Sequence, residues 1–436
     1  MDIWSQILCE FPGHYAREQE KCPTIDLQGP RQHFEEYPPF TEGSFEERLA
    51  LMVESIIHGD REMAFRSFIG LADEAANDEE KRRTIESNVL FTGIIDLPGP
   101  RPHAVHIVNS AHKAIRARAM VDPANTFGWS QSYPLFLIVL PDLASNPRFH
   151  DVFETANIRL NGAFGREYHD RRHTNQDGLN LREAEAFIAA MLHGSPDEVL
   201  GHVTSLLDEG KALTALNDVC IIAAARLQST IEHPSLRAGF TNSDHCFDHT
   251  NVVGYWLRKY DHHQQMKAPY FTALFVNDTA RFLGGLKPDL KTRFSSQPEE
   301  HMQRVERLSL DETLTTLAQA CDEQDAPFAA ALVDSYMGRT RDRTKLIQTL
   351  MFESAKFEGD PHMPRNAMSH YEEFHNSTFP AAFRDDIFRS WTRFVSRWHK
   401  RSYDYNCLRV YESELMSTSS QVRETHSVPA DNRYGS

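Results

Sequence analysis

Residues 45–75 read FEERLALMVESIIHGDREMAFRSFIGLADEA, with apolar residues recurring at spacings of three and four on both sides of a His58-Gly59-Asp60 break. That spacing gathers them on one helical face, so the stretch reads as two amphipathic helices joined by a short turn. The pattern returns at 182–210 (REAEAFIAAMLHGSPDEVLGHVTSLLDEG) and at 311–338 (DETLTTLAQACDEQDAPFAAALVDSYMG). In the second copy Gly194 suits a helix end, Pro196 the first turn of the next helix, and Asn180 the N-cap before the first.

A third helix follows each pair, at 82–96, 214–232 and 343–358, and each ends at a proline- or glycine-rich corner. A histidine-bearing helix comes next, at 103–122, 244–261 and 365–386, and then an apolar-rich one at 133–143, 268–283 and 387–400. The expected fold is all-α, with three related modules of about five helices packed into one compact assembly. The modules span 44–146, 180–286 and 308–402, with linkers at 147–179 and 287–307 that are loop-like in part. Residues 1–43 are expected to wrap the first module, and 416–436 to be a disordered tail. Strand-like alternation is nearly absent; APYFTALFVND at 268–278 is the one ambiguous run.

The composition narrows the function. A net charge of −16 without a basic stripe argues against nucleic acid and against an anionic membrane surface. No window approaches the roughly 18 apolar residues of a membrane span. The first residues, MDIWSQILCEFPGHYAREQEKCP, carry no basic segment followed by an apolar run, so a cytoplasmic protein is expected. Six scattered cysteines without a CxxC pair offer neither a zinc ribbon nor a cysteine-held cluster. No Walker A loop, GxGxxG after a strand or GxSxG elbow is present, so no nucleotide cofactor is expected.

Histidine, at 22 residues, is the outlier. In His245-Cys-Phe-Asp248-His249 two imidazoles four apart share a helical face and can share a metal ion, with Asp248 as ligand or partner. The first module offers His103 and His106; the third offers His370 and His375, with Glu372, Glu373 and nearby His362. His106, His245 and His370 each precede an aspartate (Asp122, Asp261, Asp386) by sixteen residues. If the modules surround a common axis, these histidines converge on one iron or other transition metal with open positions. If the modules stack in line, the same histidine recurs because it solves one local structural problem. Phe247, Tyr255, Trp256, Tyr270 and Phe271 are candidates for a substrate pocket, although an aromatic stripe also serves as core. His169 and His173 in the first linker form a further pair on a surface helix or a lid.

The histidine helix, its aspartate and the Pro-aromatic start of the next helix (Tyr133-Pro134-Leu135-Phe136, Ala268-Pro269-Tyr270-Phe271) resemble the uncharacterised helical region attached to some bacterial Rieske-type ferredoxin proteins. The resemblance covers most of 45–400, and it implies redox chemistry. This chain has no CxH…CxxH cluster motif, so the implied electron donor is a separate protein. A looser similarity is to questin-oxidase-like proteins, which are also histidine-rich. The expected function is a histidine-ligated, non-haem metal-dependent oxidoreductase acting on a small, largely apolar organic substrate. His245, His249, His106 and His370 are the candidate ligands, and Asp248 stands beside them in the catalytic set. The other reading is a non-enzymatic helical scaffold that binds a protein through an acidic surface.

Overall fold

The computed structural model describes residues 38–99, 111–144, 149–163, 175–230, 237–286, 299–356, 362–376, 378–379 and 383–397. Within them lie 17 α-helices and no strand; a lone bridge joins Asp177 to Lys211. The expectation of an all-α fold holds. Among the described residues no helix is long and apolar enough to cross a membrane. His103, His106, His169, His173, most of the expected N-terminal wrap and the tail at 416–436 lie outside the described residues.

Five helices fall in the first expected module: α1 (Phe45–His58), α2 (Arg61–Ala75), α3 (Glu79–Ile94), α4 (His112–Phe127) and α5 (Trp129–Leu143). The first linker, expected to be loop-like in part, also holds α6 (Asp151–Ala163). The central stretch holds α7 (Leu181–His193), α8 (Pro196–Asp208), α9 (Leu213–Thr230), α10 (Arg237–Lys259) and α11 (Ala268–Leu286). The short α12 (Glu299–Val305) precedes α13 (Leu310–Asp322), α14 (Ala326–Arg339), α15 (Thr344–Ala355), α16 (His362–Asn376) and α17 (Arg384–Val395).

Local chemistry explains many of these boundaries. Ser44, Asn180, Ser195 and Ser309 each close a capping box with a glutamate three residues on, so two orphan amides are satisfied at each helix start. Gly59 ends α1 at φ 82°, in the left-handed region where a side chain is disfavoured. The ambiguous run 268–278 is helical, and its period is hidden in the sequence because α11 is buried nearly all round there.

Packing crosses the three stretches. α9 lies against α7, α10, α11 and α17, and α10 against α3, α4, α9, α11 and α16. α10 is thus flanked by α4 and α16, the fourth helices of the other two stretches. It also carries Ser243, Asp244, His245, Asp248, His249, Thr250 and Asn251 buried to 1% exposure or less. Burying polar groups at that density is costly unless each finds a partner. The partners of those groups therefore define the site.

Candidate metal centre

Among the described residues one group of metal-ligating side chains converges: His112, His245 and His362, whose ligand nitrogens all lie within 4.8 Å of one another. One comes from each of α4, α10 and α16. His362 Nε2 is 2.9 Å from His245 Nε2 and 3.4 Å from His112 Nε2. The ring of His112 meets that of His245 edge-on, with centroids 4.4 Å apart. Metal–nitrogen bonds of about 2.05 Å place neighbouring ligands about 2.9 Å apart at a right angle and about 3.4 Å apart at the tetrahedral angle. Both separations match edges of an ordinary coordination polyhedron, and both also lie within hydrogen-bond reach.

The protonation state suits ligation. Burial drives the His245 pKa well below its usual range, and His112, His362 and Arg116 add to the effect by opposing a positive charge there. His245 is accordingly neutral, as a metal ligand requires. His112 and His362 are half-buried, which leaves the cluster a face toward solvent. Each is the first residue of its helix.

A buried polar clamp holds the three helices together about two turns beyond the cluster. Arg118 of α4 donates to Asn251 Oδ1 of α10 at 2.6 Å and to Glu372 Oε1 of α16 at 2.5 Å. Asn251 Nδ2 donates to Glu373 Oε1 at 2.6 Å, and Arg365 Nη2 to Asn251 Oδ1 at 2.7 Å. Burial opposes the ionisation of Glu372, but Arg118 and Arg365 outweigh it and hold its carboxyl below the usual range. The Arg118 guanidinium also lies over the Tyr255 ring, 4.2 Å from its centroid. Nearer the histidines, Asp248 Oδ1 accepts from Ser369 Oγ at 2.6 Å and from Asn366 Nδ2 at 3.4 Å, which ties α10 to α16 again. Burial raises the Asp248 pKa, against the pull of Arg365 and these donors.

Of the residues singled out from sequence, His245 is in the cluster and Asp248 stands one turn from it. His249 and His370 are not brought to it. His249 Nε2 donates to the Ile94 carbonyl at 2.9 Å, and burial lowers its pKa to about 4. His370 Nδ1 donates to the Asn366 carbonyl at 2.7 Å and its Nε2 meets Ser390 Oγ at 3.0 Å, so both nitrogens are engaged. The His370 ring is stacked between Phe247 and Trp391, at 4.1 and 5.8 Å.

The aromatic residues named from sequence lie in several packing contacts. Trp256 Nε1 donates to Ser87 Oγ, Tyr270 OH meets Thr204 Oγ1, and Phe271 packs on Phe153. An open groove of about 640 Å³ lies between α7 and α8, against His193, Glu198 and His202, and includes none of the cluster histidines.

His112 and His362 complete the cluster, and spacing to an aspartate did not select them. His112 lies within the 103–122 stretch and His362 just before the 365–386 one, and both open a helix that flanks α10. Alignment on helix starts would have drawn attention to them. Helices that meet at an angle bring together residues at different depths, so His245, well inside α10, meets first-turn residues of its neighbours.

Fold and cluster together define an all-helical protein with three convergent imidazoles. Searches against protein-family models, curated proteins and solved structures find no match for this chain. They add nothing to the resemblance to the Rieske-associated helical region.

Proposed function

We propose that this chain is a non-haem, metal-dependent oxidoreductase whose metal is held by His112, His245 and His362 and which acts on a small organic molecule. The observation that carries the reading is the convergence of three imidazole nitrogens, from three separate helices, within 4.8 Å of one another, with two of the separations at polyhedron-edge distances. Three neutral ligands leave one position open in a tetrahedral site and three in an octahedral one, enough for a substrate and a second reactant. Imidazole suits iron, copper and zinc, and the redox reading takes iron. The metal would supply Lewis acidity and a redox couple. The protein's part is to keep His245 neutral through burial, to fix the geometry of the three helices through the Arg118–Asn251–Glu372 clamp, and to leave one face of the cluster toward solvent. Electrons would reach the site from a separate donor protein.

The test is anaerobic reconstitution of the full chain with ferrous iron, followed by nitric oxide. The expected result is one iron per chain and a high-spin iron–nitrosyl paramagnetic signal, absent in H245A. Binding of zinc alone, with no nitrosyl signal, would refute the redox assignment while leaving the metal centre standing. Binding of no metal would refute both.

A further inference from the structure

Two charged groups beside the cluster keep polar atoms that the described residues do not match. Arg365 stands three residues after His362 on α16, on the same helical face. It donates through Nη2 to Asn251, yet its Nε is buried without an acceptor, and among the described residues no carboxylate forms an ion pair with it. Asp248 stands three residues after His245 on α10 and is fully buried. Its Oδ1 is taken by Ser369 and Asn366, whereas its Oδ2 has no donor among the described residues. Each orphan lies one turn from a cluster histidine. A buried donor and a buried acceptor without partners are costly, and a bound molecule that matched both would recover that cost.

The charges around the cluster point the same way. Three neutral imidazoles and a divalent metal leave two positive charges uncompensated. Arg116, one turn after His112, is already held by both Asp142 oxygens at 2.5 and 2.6 Å. Arg118 is paired with Asp122 and Glu372. Among the described residues Arg365 has no such pair at ion-pair distance, and Asp248, which also attracts Arg365, offsets a single charge. In a chain of net charge −16, the loaded centre is a local cationic spot that selects an anion.

We infer that the substrate of this centre is a small hydroxylated organic acid: its carboxylate pairs with Arg365, its hydroxyl donates to Asp248 Oδ2, and one of its oxygens occupies an open metal position. The inference rests on the metal-centre reading above. It replaces the largely apolar substrate suggested by the aromatic content with a charged one, because polar groups rather than aromatic rings stand one turn from the ligands.

The test uses the full chain loaded with cobalt(II), whose visible absorption reports the ligand set, titrated with lactate, propionate and lactamide. Lactate is expected to shift the spectrum at the lowest concentration. Lactamide, which has the shape without the charge, should bind at least about tenfold more weakly, and propionate, without the hydroxyl, should fall between. R365M is expected to weaken lactate by about 10- to 100-fold with the unliganded cobalt spectrum unchanged, and R365K to recover part of the loss. D248N should remove the advantage of lactate over propionate. Equal binding of lactate and lactamide, or wild-type lactate affinity in R365M, would overturn the inference with the centre intact. A wild-type chain that gives no cobalt spectrum overturns the centre and the inference together.

Discussion

Replacing Gly93 with alanine tests how the cluster is positioned. Gly93 sits near the end of α3 where it crosses the first turn of α4. A Cβ there would stand 2.6 Å from the Lys113 carbonyl oxygen, 2.9 Å from its carbon and 3.0 Å from Ala114 Cα, all backbone atoms that cannot swing aside. Ordinary contact begins at 3.4 Å, so the first turn of α4 has to retreat by about 0.8 Å. His112 is the residue before Lys113 and would move with it. Metal–ligand distances tolerate about ±0.2 Å, so His112 leaves the coordination sphere and two ligands remain. Lys113 is also tied to Asp96 by a buried ion pair at 2.7 Å, which resists the retreat.

The expected result for G93A is a loss of about 1–3 kcal/mol in unfolding free energy, the usual cost of overpacking. Metal affinity should fall by about 10- to 100-fold, the range typical of changes to the groups that orient ligands. Urea denaturation of the metal-free chain and competition with a chromophoric chelator measure the two quantities separately. G201A is the control: a Cβ at Gly201 meets nothing within 4 Å, so that variant should be as stable as wild type or about 1 kcal/mol more stable, with unchanged metal affinity. If G93A loses stability but binds metal within twofold of wild type, His112 is not a ligand and the reasoning fails. If it loses neither, the close helix crossing is itself refuted.

Other perturbations separate structure from chemistry. H370Q should cost about 2–4 kcal/mol through lost stacking and hydrogen bonds while metal stoichiometry stays at one; loss of metal would make His370 a ligand after all. The same variant carries a pH signature. Burial lowers the His370 pKa to about 3 from an unfolded value of 6.5, so the unfolded chain takes up a proton first and stability from this residue is lost as pH falls below 6.5. The gap between wild type and H370Q should therefore shrink by about 1.4 kcal/mol per pH unit between pH 6.5 and 4, measured by urea unfolding. A constant gap would mean that His370 is not buried as a neutral ring. R118M removes the clamp and strands Glu372 in a mostly buried setting; a loss of about 3–5 kcal/mol, partly recovered in R118M/E372L, is expected in the same assay.

Periodicity made the helices legible because each element buries one stripe, and the capping residue Asn180 could be read directly from its type and position. It was ambiguous where burial is all-round, as in the 268–278 run of α11, and it passed over α6 and α12 inside stretches read as polar and loop-like in part. Within the site, His245 was legible because His245-Cys-Phe-Asp248-His249 is dense in chemistry on one helix. The true neighbours of His245 depend on the angles at which α4 and α16 cross α10, and no local spacing encodes those. His249 illustrates the gap: it shares a face with His245, yet it turns to the Ile94 carbonyl of α3, a partner 155 positions away in sequence.

X-ray absorption on the reconstituted full chain, with elemental analysis of the same sample, tests the three-histidine centre most directly. One metal per chain with three imidazole nitrogens at about 2.0–2.1 Å is expected, and H112A, H245A and H362A should each lose an imidazole shell or the metal itself. Less than about a tenth of an equivalent of any transition metal after reconstitution, or a spectrum unchanged in all three variants, would contradict it.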